Sequence, residues 1–184
     1  MSETGPGSRR LFFALWPDAQ LRARLAAVSR HWARRPVTDD KLHMTLLFLG
    51  RRSEQERVCF CQAASKIQCE PFELHLDYLG GWPGAGIQWL GTSQVPSVLS
   101  GLVDSLTAVL EPCGFEAEKR PFVPHITLAR KVRQPKVKAG LKAIRWPLRD
   151  FVLVESAAVG GGVRYEVLQR WPLEKTSRDG AYLS

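Results

Sequence analysis

Residues 42–50, LHMTLLFLG, read as a buried strand carrying a histidine and a threonine two places apart, and the string returns at 123–130, VPHITLAR. Successive strand side chains alternate between faces. His43 and Thr45 therefore share one face, with Leu42, Met44, Leu46 and Phe48 on the other, and His125 and Thr127 oppose Ile126 and Leu128 in the same way. An imidazole titrates near neutral pH and can give or take a proton. A threonine hydroxyl both donates and accepts, and can hold a phosphate oxygen without adding charge. Two such pairs supply an acid, a base and two oxygen holders around one phosphorus atom. Displacement at phosphorus needs attacking and leaving oxygens roughly in line and stabilised equatorial oxygens. Two triplets approaching from two sides meet that need without a metal.

A single His-x-Thr-Leu is ordinarily a core histidine with a satisfied hydrogen bond. The chain has four histidines, and two such strings would arise by chance in roughly one sequence in several hundred. His31 and His75 lack the motif and read as helix surface and as the polar face of an ordinary strand.

The elements that must position the triplets fall into two similar runs. RLFFALW is a strand; DAQLRARLAAVSRHW is a helix with Leu21, Leu25, Val28 and Trp32 on one stripe and Asp18 as its cap. After the first histidine strand, Ser53 and Glu56 stand at capping-box spacing before a second helix, and FELHLDYL reads as a strand. In the second half GIQWLGT is a strand. A helix from about Pro96 to Leu110 turns Leu99, Leu102, Val103, Leu106 and Leu110 inward, and the second histidine strand follows. A short helix is expected near KAGLKAI, then a hairpin of RDFVLVESAAV and VRYEVLQRW about GGG. Each half thus reads strand, helix, histidine strand, helix, strand. Such a duplication would let His43 and His125 face each other across a shared cleft.

The composition, 45% apolar and 24% charged over 184 residues, is that of a globular chain of one domain or two small lobes. The net charge is +8, with eight basic residues and no acid between Arg130 and Arg149, and a second cluster at Arg22, Arg24, Arg30, Arg34 and Arg35. Either cluster alone reads as a solvated face. A basic run starting directly after the second triplet points instead to anionic partners.

Cys59, Cys61, Cys69 and Cys113 form no pairing framework, so reduced thiols are expected, and no His-Cys set has metal-ligand spacing. SRRLFF imitates a twin-arginine export signal, but the apolar run after it is too short for one and reads as the first strand. No stretch has the length of a transmembrane helix. The two ends, MSETGPGS and TSRDGAYLS, read as frayed.

Taken together, RLFFALWP, LHMTLLFLG, WPGAGIQWLG, RPFVPHITLAR and VRYEVLQRWPL, spread over residues 9–173, resemble the 2H phosphoesterase superfamily, in its branch of bacterial RNA 2',3'-cyclic phosphodiesterases or 2'-5' RNA ligases. The resemblance implies an α+β fold, bilobal and pseudo-twofold, with two antiparallel sheets lining a central cleft and helices outside. It implies no cofactor, and hydrolysis of a 2',3'-cyclic phosphate at an RNA or nucleotide end to a 2'-phosphate, with 2'-5' ligation as the reverse reaction. Carried over by position, His43 is the proton donor and His125 the proton acceptor. Thr45, Thr127 and Arg130 hold the phosphate, and Phe12 lines a base pocket. Strict alternation puts Arg130 on the face opposite His125 unless the strand ends or bulges first. A single bilobal domain is expected over 1–184, as a cytoplasmic monomer with RNA or nucleotide ends as partners.

A competing reading is a non-catalytic single-stranded RNA-binding module, with exposed aromatics such as Trp82 and Trp89 stacking bases. It leaves the two histidines without a purpose. A metal-dependent phosphoesterase lacks its carboxylate–histidine cluster, and no GxxxxGK loop is present.

Overall fold

The structure, a computed structural model, describes residues 8–118 and 120–174. Of the two ends expected to fray, MSETGPGS and TSRDGAYLS, all but Ser8 lie outside those residues.

The element order is β1 (Arg9–Leu15), α1 (Ala19–Trp32), β2 (Met44–Arg52), α2 (Glu54–Ala64), β3 (Phe72–Leu76), β4 (Tyr78–Trp82), β5 (Ile87–Gly91), α3 (Ser97–Leu110), β6 (His125–Ala129), β7 (Ile144–Leu148), β8 (Asp150–Val159) and β9 (Gly162–Pro172). The helices begin where their caps dictate. Asp18 accepts the Leu21 N–H at 2.7 Å, and Ser53 and Glu56 close a reciprocal capping box. In α3 the five apolar residues at helical spacing are all buried.

Two antiparallel sheets result. One is β3 paired with β7; the other has the order β4-β5-β6-β2-β1-β8-β9. The large sheet has a seam, because β6 and β2 meet at one pair, Met44 with Ile126. About that seam the order is palindromic: β6 answers to β2, β5 to β1 and β4 to β8, with β9 added at one edge. The helices follow the same symmetry, since α1, which connects β1 to β2, packs on β6, while α3, which connects β5 to β6, packs on β2. Each half covers the histidine strand of the other.

β1 and β8 are buried on both faces, which explains their unbroken apolar runs. Leu11, Phe13, Leu15, Phe151 and Leu153 join the main core with the helices. Phe12, Ala14, Val152 and Val154 form a second, smaller cluster on the opposite face, with Trp16, Tyr165 and Val167 partly buried against it. That second face is the one that carries the chemistry.

Four expectations need correction. FELHLDYL is not one strand: it breaks at Asp77, whose carboxylate accepts the Ser93 N–H and hydroxyl, both at 2.7 Å, so that β3 and β4 join different sheets. KAGLKAI is not a helix. Gly140 is left-handed at φ 66°, and the Lys138 and Leu141 amides donate to the carbonyls of Leu79 and Asp77, so these groups bond the start of β4 rather than a helical turn. Phe48 is 52% exposed rather than turned into the core with Met44 and Leu46. β2 carries irregularities against β1 at Leu46 and Leu49, which have no partner there, and the first reverses the alternation before Phe48. Finally, Cys59 and Cys113 are joined by a disulfide, 54 positions apart, because α2 packs on α3 and its following turn. Only Cys61 and Cys69 remain free among the four.

Candidate active site

The site is built at the seam. The pair Met44–Ile126 is antiparallel and both side chains are fully buried. Each is the middle residue of a His-x-Thr triplet. The opposed chain directions therefore carry His43 toward Thr127 and Thr45 toward His125. All four of these polar residues are only partly buried, while Leu42, Met44, Leu46, Ile126 and Leu128 are buried, as the alternation requires.

Both rings are held in the same way. Nδ1 of His43 lies 2.8 Å from the Lys41 carbonyl, and Nδ1 of His125 lies 2.8 Å from the Val123 carbonyl. A carbonyl can only accept, so Nδ1 carries the hydrogen and Nε2 is the nitrogen left for proton transfer in each ring. Burial pushes the His43 imidazole down from 6.5 to about 4; the Lys41 carbonyl opposes this, and positive charge on His125 and Arg130 adds to it. His125 is lowered too, by burial first and then by Arg130, against the pull of the Val123 carbonyl. Both rings are thus neutral near pH 7 in the empty site, and an arriving anion favours their protonation.

Arg130 acts on both rings from beyond the end of β6. β6 has an irregularity against β5 at Leu128, which has no partner, and the strand ends at Ala129. The extra residue shifts the alternation by one, so Arg130 returns to the histidine face while Ala129 stays buried. Of the two alternatives the sequence leaves open, the bulge and the strand end both hold.

Aromatic rings wall each histidine. Trp16 stacks on His43 at 5.3 Å between centroids, Phe12 lies at 5.0 Å, and Tyr165 meets it edge-on at 5.1 Å. On the other side Trp82 meets His125 edge-on at 4.6 Å, with Trp89 behind it at 6.2 Å. Trp89 is only 8% exposed and fills the space left by Gly80 and Gly91, where any side chain would strike its ring. It is therefore a support for His125 and not the exposed stacking surface expected of it. Phe12, 1% exposed, lies beneath His43, Phe48 and Tyr165. It backs the pocket and leaves the accessible rings to its neighbours. Trp16, Phe48 and Tyr165 were missed. Trp16 follows Phe12 and Ala14 at period two and could have been found; Phe48 was hidden by the bulge, and Tyr165 depends on long-range pairing of β9.

His31 and His75 stand exposed and away from this centre, His75 bonded to Glu73 at 2.7 Å. Among the described residues no three of His, Cys, Asp and Glu stand together as a metal would need.

A family model described as the 2'-5' RNA ligase superfamily matches residues 17–159. The chain belongs to the 2'-5' RNA ligase superfamily. Among members of the superfamily, the RNA 2',3'-cyclic phosphodiesterase of Escherichia coli (strain K12) is 34% identical over 175 residues, 90% of this chain and 97% of its own. That of Thermus thermophilus is 34% identical over 181 residues, 89% of this chain and 90% of its own. The crystal structure of E. coli LigT complexed with 3'-AMP superimposes with a TM-score of 0.83 at 32% identity, covering 90% of this chain and 98% of that one. The expected superfamily and α+β fold are both borne out.

Proposed function

We propose that this chain is a hydrolase that opens 2',3'-cyclic phosphates at RNA or nucleotide ends to 2'-phosphomonoesters, by acid–base catalysis between His43 and His125. The observation that carries the reading is the matched pair of rings at the seam, each bonded through Nδ1 to a backbone carbonyl and near enough for charge on His125 to act on His43. The names of the E. coli and T. thermophilus relatives support the same activity.

In this mechanism the cyclic phosphate lies between the rings. His125 takes a proton from water at Nε2 as the water oxygen bonds to phosphorus. The bond from phosphorus to the 3' oxygen breaks, and that oxygen takes the proton from Nε2 of His43. His43 must therefore enter charged. Burial opposes this in the empty site, and the negative phosphodiester favours it once bound. Thr45, Thr127 and Arg130 hold the non-bridging oxygens, and Arg130 offsets the charge that develops on them. Phe48 and Tyr165, in front of Phe12, offer rings to the base. Ligation of a 5'-hydroxyl strand is not the expected reverse of this step but the same step with the 5' oxygen in place of water. That oxygen gives its proton to His125 and bonds to phosphorus as the 3' oxygen leaves with the proton of His43.

Residues of about 9–173 act as one bilobal unit, as a monomer. No helix among the described residues is long and apolar enough to cross a membrane, and RNA ends as substrates suit a cytoplasmic enzyme. No cofactor enters the scheme. The test is incubation of nucleoside 2',3'-cyclic monophosphates with the protein in excess EDTA. A 2'-phosphate product supports the reading. A 3'-phosphate product, a need for added metal, or binding of RNA with the cyclic end left intact would overturn it; the last would favour a pure RNA-binding module.

A further inference from the structure

Past its bulge, β6 runs into a groove that the chemistry of one phosphate does not need. The segment after Arg130 faces the end of α1 and residues 33–35 across a cavity of about 890 Å³. Pro36 pairs antiparallel with Ala129, and the Val37 N–H donates to the Leu128 carbonyl at 2.9 Å. That register leads Arg35 toward Arg130 and Arg34 toward Lys131. The opposite wall is fastened by Gln88, which is 1% exposed. Its amide donates to the Gly80 and Lys136 carbonyls and accepts the Lys136 N–H, each at 2.7 Å. Lys131 sits at φ 58°, the one non-glycine left-handed residue among those described. The loop is held in an uncommon conformation rather than left free.

Six cations line the groove, Arg34, Arg35, Arg130, Lys131, Arg133 and Lys136, and no acid does among the described residues. Arg9, Arg52, Arg57 and Arg145 are each paired with a carboxylate elsewhere on the surface. None of the six is so paired among the described residues. Like charges fastened around one space repel one another, which favours an anion there. Arg130 lines the groove directly after the strand that carries His125 and Thr127, and its charge also acts on both histidines, so it links the groove to the reaction centre.

We propose that this groove takes the phosphates of the RNA strand preceding the cyclic end, so that the protein reads a polynucleotide terminus rather than its last nucleotide alone. The proposal rests on the cyclic phosphodiesterase reading. A strand whose end is already at the histidines reaches the groove without a second association step. Guanidinium groups suit successive phosphates, being planar donors that stay charged.

The test compares kcat/KM for adenosine 2',3'-cyclic monophosphate with short oligoadenylates bearing the same end, using the full chain. The gain over the mononucleotide should be about ten-fold or more within the first few added nucleotides, carried by KM, and should shrink with salt. Arg34→Ala combined with Arg133→Ala removes two exposed charges outside the catalytic set. This variant should keep the mononucleotide rate, lose most of the length gain, and lower the salt slope of oligomer binding by about 1.4. A length-independent wild type, or an undiminished gain in the variant, would overturn the proposal, as would a matching loss on the mononucleotide. Poly-glutamate binding as tightly as an oligoadenylate of equal charge would also overturn the assignment to RNA. If the wild type failed to hydrolyse the mononucleotide and the oligomers alike, the catalytic reading would fall. Binding of an oligoadenylate with a 3'-phosphate would then still judge the groove, supporting it if weakened in the variant and refuting it if unchanged.

Discussion

Met44 and Ile126 pair antiparallel across the seam of the large sheet, each the middle residue of a His-x-Thr triplet and each fully buried. The pairing makes the two threonines equivalent, each lying toward the other triplet's histidine. Thr45→Ala and Thr127→Ala should therefore weaken turnover of a cyclic mononucleotide by similar factors. Loss of one hydrogen bond to a charged phosphate is worth about 1.5–3 kcal/mol, or roughly ten- to a hundred-fold in kcat/KM. Steady-state kinetics on both variants, with circular dichroism to check the fold, measures this. A large loss in one and none in the other would contradict the symmetric placement.

Burial first, and the Arg130 charge after it, set the pH range in which the site works. The acid is lost as pH rises through its pKa, and the base is lost as pH falls through its own, so kcat/KM is bell-shaped about the mean of the two. Both histidines lie below 6.5 in the free protein, His43 at about 4. The bell should therefore centre on the acid side of 6.5. Removing the Arg130 charge relieves part of the depression at both rings, so Arg130→Met should move both limbs to higher pH as well as lowering the maximum. A profile centred at or above 6.5, or unmoved in the variant, would count against this electrostatic account.

The same burial makes His43 a source of acid sensitivity. Below about 6.5 the unfolded chain binds a proton that the folded ring resists, so stability falls with pH and the loss is complete below about 4. The span corresponds to a loss on the order of 3 kcal/mol. Denaturant melts of wild type and His43→Gln at neutral and acid pH should show the variant losing less. Parallel losses would contradict the burial of this ring.

Gly80 lies against the Trp89 indole, which stands behind His125. Gly80→Ala should force the indole aside, costing about 1–3 kcal/mol of stability and lowering turnover through His125. Gly84 has open space around it, so Gly84→Ala is the control and should change neither. Equal thermal stability and activity in both variants would show that the close approach is not needed.

How much of this was legible depends on the range of the interactions involved. The histidine and threonine faces, the Asp18 cap, the Ser53–Glu56 box and the α3 stripe are written in periods of two and 3.6 residues, and each was readable. Phe48 was misplaced because one extra residue in β2 inverts the alternation, and nothing local announces a bulge. KAGLKAI has helical composition, but its backbone is bound to the start of β4, a partner about sixty positions away. The Cys59–Cys113 bond likewise depends on α2 meeting the turn after α3. Tyr165 reaches His43 only because β9 is held on β8 by the turn at Gly160 and Gly161, both left-handed.

That disulfide closes a loop of 54 positions, for which chain entropy gives up to about 4 kcal/mol. Reduction with dithiothreitol should lower the melting temperature by roughly 10 °C and leave turnover at 25 °C unchanged, since neither sulfur touches the histidines. Loss of activity without loss of fold would place the bond in the working of the site.

The most direct measurement is the hydrolysis rate of a nucleoside 2',3'-cyclic monophosphate by wild type, His43→Ala and His125→Ala, in excess EDTA, with each fold checked by circular dichroism. The account predicts a loss of about two or more orders of magnitude in each variant, with both still folded. Full activity in either one would contradict catalysis by two histidines.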